Sequence, residues 1–394
     1  MATKRKASTI LSVSNFAQIR DCSVEFGDFT LIVGPQASGK SIFLQLFKLL
    51  VDRNQIFETL EKHAYTWGSK DFARLLDLYF GESMSGIWKE DTRVNWNDKN
   101  QTQLSIINRQ GSRDTSKVEK MFYVPAQRVV TMSQGWPRPF NNFDAGDPYI
   151  LKSFSETLRV LMELEFSNGR GNVENIFPKP GKMSVDLRNQ IDSSIFYGAS
   201  INLDKKSPRK RFLLKVGDNE LPYMTWSAGQ KEFMPLLLSL YHLIPAGNSA
   251  KKDDIDWVII EEPEMGLHPQ AVQTVMLLAL QLIQRGYKVV ISTHSPVLLE
   301  MAWVINQIKN FSGSADDLFD LFGIKKNPLI REIFKVSIDK EYKTWYFERE
   351  KDGIHVRDIS TLDPGSENPD TANWGGLSEF ASRAGEVVSK LAAK

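Results

Sequence analysis

The spacing of apolar and polar positions divides the chain into segments. Across 9–33, Ile10, Val13 and Phe16 lead to a turn expected around Arg20-Asp21. Val24 to Phe26 follows, then Gly27-Asp28 and the apolar run 29–33. This predicts strands joined as a hairpin. In 41–62, Phe43, Leu46, Phe47, Leu50 and Val51 recur at helical spacing, which predicts a helix. Residues 121–124 predict a short strand closed by Pro125, and 131–148, rich in Gly, Pro, Asn and Asp, read as a loop. Leu151, Phe154, Leu158, Leu161 and Leu164 predict a helix over 150–166. Strand patterns flank the basic stretch 205–211. An apolar helix is expected over 229–244, a buried strand over 257–260, a helix over 270–285 and a strand over 288–292. Strand–helix–strand order argues a parallel α/β sheet. Farther on, 334–338, 344–349 and 354–359 read as antiparallel strands, and 377–391 as a terminal helix.

Composition narrows the class. The chain has 394 residues, 42% hydrophobic and 25% charged, an ordinary globular balance for more than one compact core. Forty-nine basic and 48 acidic residues leave a formal net charge of +1, so uniform charge-driven coating of nucleic acid is not expected. The single cysteine, Cys22, excludes an internal disulfide and a Cys-x-x-Cys metal site. The longest apolar run, 233–244, is too short to span a bilayer and is interrupted by Ser239 and His242. Lys4, Arg5 and Lys6 precede a strand-like alternation, not the apolar core of a signal peptide. A cytoplasmic protein without a membrane association is therefore expected.

The strongest chemical signal is Gly34-Pro35-Gln36-Ala37-Ser38-Gly39-Lys40-Ser41, which fits GxxxxGK[ST] between an apolar strand and a helix. Successive backbone N–H groups of such a loop cradle phosphates. Its lysine reaches the β- and γ-phosphates, and its hydroxyl ligates Mg²⁺. Glu261-Glu262 follow a buried strand. There the first acid can hold Mg²⁺ and the second can orient the attacking water. His294 ends a further strand and can face a γ-phosphate. Ser227-Ala228-Gly229-Gln230 opens a helix with Ser227 as its N-cap.

Taken in order along the chain, these elements resemble the ATPase heads of the ABC superfamily, in the non-transport branch that includes RecF, SMC and OLD-type ATPases. Ser227-Ala228-Gly229-Gln230 is similar to the signature loop, with Ala228 where glycine is usual. Glu261-Glu262-Pro263-Glu264-Met265-Gly266-Leu267-His268-Pro269 is similar to the Walker B and D-loop run, with Glu261 in place of the usual Asp. Ser292-Thr293-His294-Ser295-Pro296 resembles the switch loop, and Gln127 in Pro125-Ala126-Gln127-Arg128 matches the glutamine loop.

The resemblance implies an α/β fold: an ABC-type ATPase head (P-loop NTPase) with a mixed sheet, a helical and β insertion and a small C-terminal α+β tail. The expected parts are an ATPase lobe with the phosphate loop over 1–62 and an insertion with a basic hairpin over 63–219. The signature, paired acids and switch histidine fall in 220–300, and a tail covers 301–394. ATP and Mg²⁺ are the implied ligands. Gly34 to Ser41, Ser227, Gly229 and Gln230 would hold nucleotide; Ser41, Glu261 and Gln127 would hold metal; Glu262, His294 and Gln127 would serve hydrolysis. One chain carries one set of each motif, so a homo-oligomer, from dimer up to hexamer, is implied.

OLD-type nucleases add a Toprim domain with an Asp-x-Asp motif, which 301–394 lack. The effector is then expected to be a separate protein, such as a Toprim-type nuclease, released on sensing a phage-encoded trigger. This pattern is similar to the ATPases of PARIS-type two-gene anti-phage systems. The compact size, the 125–128 stretch, Leu362 to Ser366 and Trp374 to Leu377 carry that narrower likeness. The alternative is a RecF-like repair ATPase with DNA-stimulated hydrolysis and a nucleic-acid contact at 205–211, which otherwise reads as a solvated turn.

Overall fold

A computed structural model describes residues 9–108, 118–167, 175–179, 181, 183–204, 210–244, 251–252 and 254–392. The chain opens with β1 (Thr9–Phe16), β2 (Ile19–Phe26) and β3 (Phe29–Val33), then α1 (Lys40–Lys62) and α2 (Phe72–Phe80). The hairpin β4 (Trp88–Trp96) and β5 (Lys99–Gln101), α3 (Gln103–Ile107) and β6 (Met121–Val124) follow. A small ribbon, β7 (Met132–Ser133) and β8 (Trp136–Pro137), leads to α4 (Tyr149–Met162). Next come β9 (Asn175–Phe177), α5 (Val185–Ile191), β10 (Ser200–Leu203), β11 (Phe212–Val216) and β12 (Asn219–Pro222). The sequence α6 (Ala228–Leu243), β13 (Trp257–Glu261), α7 (Pro269–Gln284), β14 (Lys288–Ser292) completes the nucleotide-type half. The last part is α8 (Pro296–Asn310), α9 (Ala315–Phe322), α10 (Pro328–Ile338), β15 (Tyr342–Glu350), β16 (Gly353–Asp358), α11 (Pro369–Ala372) and α12 (Glu379–Ala392).

The central sheet has ten strands in the order β5-β4-β1-β2-β16-β15-β3-β14-β13-β6. From β15 to β6 all neighbours are parallel, while β1, β2, β4 and β5 pair antiparallel. The fold is thus α/β with a mixed sheet. Alternation along buried strands splits the core into two layers. Phe29, Leu31 and Val33 face one layer with α6, α7 and α8, whereas Ile32 faces the other with Phe43 and Phe47 of α1. Val258 and Ile260 of β13 join the first layer, Trp257 and Ile259 the second. Strands covered by helices on both faces read as unbroken apolar runs. The second sheet, β12-β11-β10-β9, packs its Ile176, Phe177, Ile201, Phe212 and Leu214 into the first layer beside α6.

Two expectations are corrected. Residues 334–338 are the end of α10, not a strand. Asn327 caps that helix by accepting from the Ile330 N–H (2.9 Å), Pro328 starts it, and Ile330, Ile333, Phe334 and Ser337 form one buried helical face. The first turn lies at Ala17-Gln18, with Ala17 left-handed at φ +52°. Arg20 and Asp21 sit inside β2, because the apolar positions Ile19, Cys22, Val24 and Phe26 set its buried register. The segment beyond 301 does more than trail behind the head: β15 and β16 insert between β3 and β2. Within the basic stretch 205–211, residues 205–209 lie outside the described residues, as do 247–250 of the linker before β13. Among the described residues no helix is long and apolar enough to cross a membrane.

Candidate functional site

The phosphate-loop sequence stands between β3 and α1. Gly34 has φ +149°, and a Cβ there would lie 2.6 Å from the Phe347 carbonyl oxygen of β15. Gly39 is left-handed at φ +86° and occupies the N-cap of α1, where no side chain caps the helix. The first-turn N–H groups are therefore available to an anion, and the helix dipole favours one. Gln18 Nε2 donates to the Ala37 carbonyl (3.2 Å), and Arg349 of β15 donates to the same oxygen (3.1 Å). The β1–β2 turn and β15, far apart in sequence, thus brace the loop.

Lys40 is 6% exposed. Its ammonium donates to the carbonyls of Gly34 (2.8 Å) and Pro35 (3.0 Å) and lies 3.3 Å from His294 Nε2. Burial lowers its pKa, against the pull of Glu262, Glu261 and Glu264. The same His294 nitrogen is 3.3 Å from Glu262 Oε1. One imidazole nitrogen can donate to the carboxylate or accept from the lysine, so its tautomer selects the partner. Lys40, His294 and Glu262, widely separated in the chain, are brought together.

The two adjacent acids differ. Glu261 ends β13 with 3% exposure, and burial raises its pKa despite the hydroxyls of Ser41 and Tyr123 and the Ala126 N–H (3.4 Å to Oε2). Its Oε1 has no well-formed hydrogen bond. A buried carboxylate oxygen left without a partner beside a hydroxyl suits a hard cation, so Ser41 and Glu261 fit Mg²⁺. Glu262 is half-buried, and its hydrogen bond with His294 holds its carboxyl below the usual range. Its backbone is left-handed at φ +41°, with its N–H bonded to the Ser292 carbonyl (2.8 Å).

The remaining candidates separate. Ser227 caps α6: its hydroxyl accepts from the Gln230 N–H (3.2 Å), and Gln230 Oε1 accepts from the Ser227 N–H (3.1 Å). This capping box satisfies two helix-end donors. A Cβ on Gly229 would meet the Gly266 carbonyl at 2.7 Å, so glycine lets this helix end approach the loop after the acids. Gln127 is exposed at the start of a 3₁₀ turn (Arg128–Thr131), and its side chain is not hydrogen-bonded to Ser41, Glu261 or Glu262.

Sequence reasoning missed two residues. Glu264 Oε1 accepts from Thr293 Oγ1 (2.7 Å) and the His294 N–H (2.6 Å), holding the switch segment. Arg128, next to Gln127, is fully buried beneath the acids. Charged residues beside motif positions were the available signal; their burial was not.

Residues 9–121 match the family described as "AAA ATPase domain", and residues 165–300 match "AAA domain, putative AbiEii toxin, Type IV TA system". The Old nuclease of Escherichia phage P2 is 24% identical over 362 residues, covering 78% of this chain and 59% of the relative. The chain thus spans under two thirds of that nuclease's length. Among solved structures, an SMC head bound to the C-terminal winged-helix domain of ScpA aligns with TM-score 0.43 at 13% identity, over 90% of this chain and 97% of that one. An SMC head domain from Thermotoga maritima aligns with TM-score 0.36 at 13% identity, over 90% and 99%. Two segments of the chain are thus similar to AAA-type ATPase domains, and the chain is similar to the Old nuclease over 78% of its length.

Proposed function

We propose that the chain binds and hydrolyses ATP in sites shared between copies of itself, as the sensor and scaffold of an anti-phage defence pair. The observation that carries the ATPase reading is the cluster of Lys40, His294 and Glu262 under an uncapped helix N-terminus. Lys40 would turn from the loop carbonyls to the β- and γ-phosphates. Glu262, kept ionised by His294, would accept a proton from the attacking water, and His294 would face the γ-phosphate. Mg²⁺, held by Ser41 and Glu261, would neutralise phosphate charge. Gln127 reaches such a site only if the 3₁₀ turn shifts on nucleotide binding.

The serine of the signature loop is exposed and bonded to its own helix. In the ABC resemblance it completes a second copy's site, so ATP would favour a closed oligomer through its γ-phosphate. Relation to the Old nuclease, together with the motif likeness to the AriA ATPase of the PARIS system, supports a defence role. In that reading the oligomer holds a separate nuclease-type effector in the cytoplasm and releases it on meeting a phage protein.

The test is Glu262→Gln protein purified from its native operon with ATP and Mg²⁺, with mass and composition measured. Turnover should fall about 100-fold while ATP stays bound in a homo-oligomer carrying a second small protein. Failure to retain ATP rejects the ATPase head. A lone oligomer that gains mass only with DNA replaces the defence role by a repair ATPase.

A further inference from the structure

Arg128 is 0% exposed and lies where three parts of the candidate site meet. Its Nε donates to the main-chain carbonyl of Glu232 in α6 (3.0 Å) and stands 3.4 Å from that residue's carboxylate. Its Nη1 donates to the Glu261 carbonyl (3.0 Å), and Nη1 and Nη2 share the Glu262 carbonyl (3.3 Å each). One planar guanidinium thus joins the first turns of the Ser227 helix to the backbone of both acids. A fork of fixed donors holds such geometry in a way a lysine cannot.

The backbone it grips is strained. Glu262 is a non-glycine residue at φ +41°, a conformation that persists only where its surroundings over-determine it. The start of α6 also touches the following loop: a Cβ on Gly266 would lie 3.4 Å from Glu232 Cγ and 3.5 Å from the Ala228 carbonyl carbon. Burial of an arginine is costly unless its donors are satisfied. Glu232, Glu264, Glu262 and Glu261 supply compensating charge around this one.

We propose that Arg128 is a positioning residue that couples the Ser227–Gln230 helix end to Glu262, so that contact of a second copy at that helix end sets the aim of the Glu262 carboxylate. The coupling path is short and rigid. A push on α6 moves the Glu232 carbonyl and carboxylate, the guanidinium they hold follows, and the two carbonyls at 261 and 262 follow it. The idea rests on the ATPase reading and adds a route by which oligomer contact is felt at the hydrolytic residue.

The test compares wild type with Arg128→Lys and Glu232→Gln in the full-length protein, reading ATP affinity, kcat, ATP-driven association and thermal unfolding. Arg128→Lys should lower kcat about 100-fold, the loss expected from a misplaced reacting group, with ATP affinity and association retained. Glu232→Gln, which keeps the carbonyl contact and removes only the charge, should lower kcat about 10-fold and covers the case in which Arg128→Lys does not fold. Wild-type kcat in Arg128→Lys, or in Glu232→Gln where Arg128→Lys does not fold, overturns the coupling alone. A parallel loss of kcat, ATP affinity and melting temperature makes Arg128 a packing residue and overturns it too. Wild-type protein without ATP turnover rejects the ATPase reading and the coupling together.

Discussion

Two helix N-termini carry the site's phosphate-type and signature-type motifs, and they are finished in opposite ways. α1 begins at left-handed Gly39 with no side-chain cap, inside a loop braced by Gln18 and Arg349. α6 begins at Ser227 with a complete capping box and stands exposed. An uncapped helix end keeps unsatisfied donors that an anion can take. A self-capped end is stable in water and can wait for a partner surface. In the proposed shared site, the start of α1 would be the receptive half and the start of α6 the presenting half.

The largest expected effect breaks the receptive half. Lys40→Ala removes a charge-assisted phosphate contact worth about 3 kcal/mol, so ATP binding should weaken by about 100-fold or more, measured by calorimetry. Retained affinity would take the phosphate-loop role from Lys40. Next, Ser227→Arg places a long cation on the presenting end. Monomers should fold, while ATP-driven association in sedimentation experiments and turnover are lost; normal association would leave the serine as a cap alone. The smallest effect is Ser227→Ala. It removes the side-chain acceptor for the Gln230 N–H and should cost about 1 kcal/mol of stability, read by denaturant unfolding. An unchanged midpoint would mean Gln230 and solvent satisfy that helix end without the serine.

Glu261 and Glu262 sharpen the same contrast on a smaller scale. Glu261 is the last residue of β13 and is buried beside Tyr123 of β6, whereas Glu262, just past the strand and left-handed, faces His294. Burial pushes the first carboxyl up, and a hydrogen bond holds the second down. Two identical side chains thereby fit two tasks, a cation ligand and a base, through surroundings supplied by distant segments.

The sequence by itself determined the local pieces. GxxxxGK[ST] placed Lys40 at the start of a helix, the 257–260 and 288–292 runs marked parallel strands, and Ser227 announced its own cap. Each depends on backbone geometry and periodicity within a few residues. Only the tertiary structure decided the rest. The apolar stretch 334–338 is short enough to read as strand or helix, and Asn327 with Pro328 tips it to helix. β15 enters the sheet beside β3, where Trp345 Nε1 donates to the Glu25 carbonyl (3.0 Å) across a long sequence separation. Arg128 becomes a buried clamp only when β6, α6 and β13 converge on it. Pairing and burial of charge are set by partners that no local window contains, and for that reason the chemistry of single motifs was legible while their coupling was not.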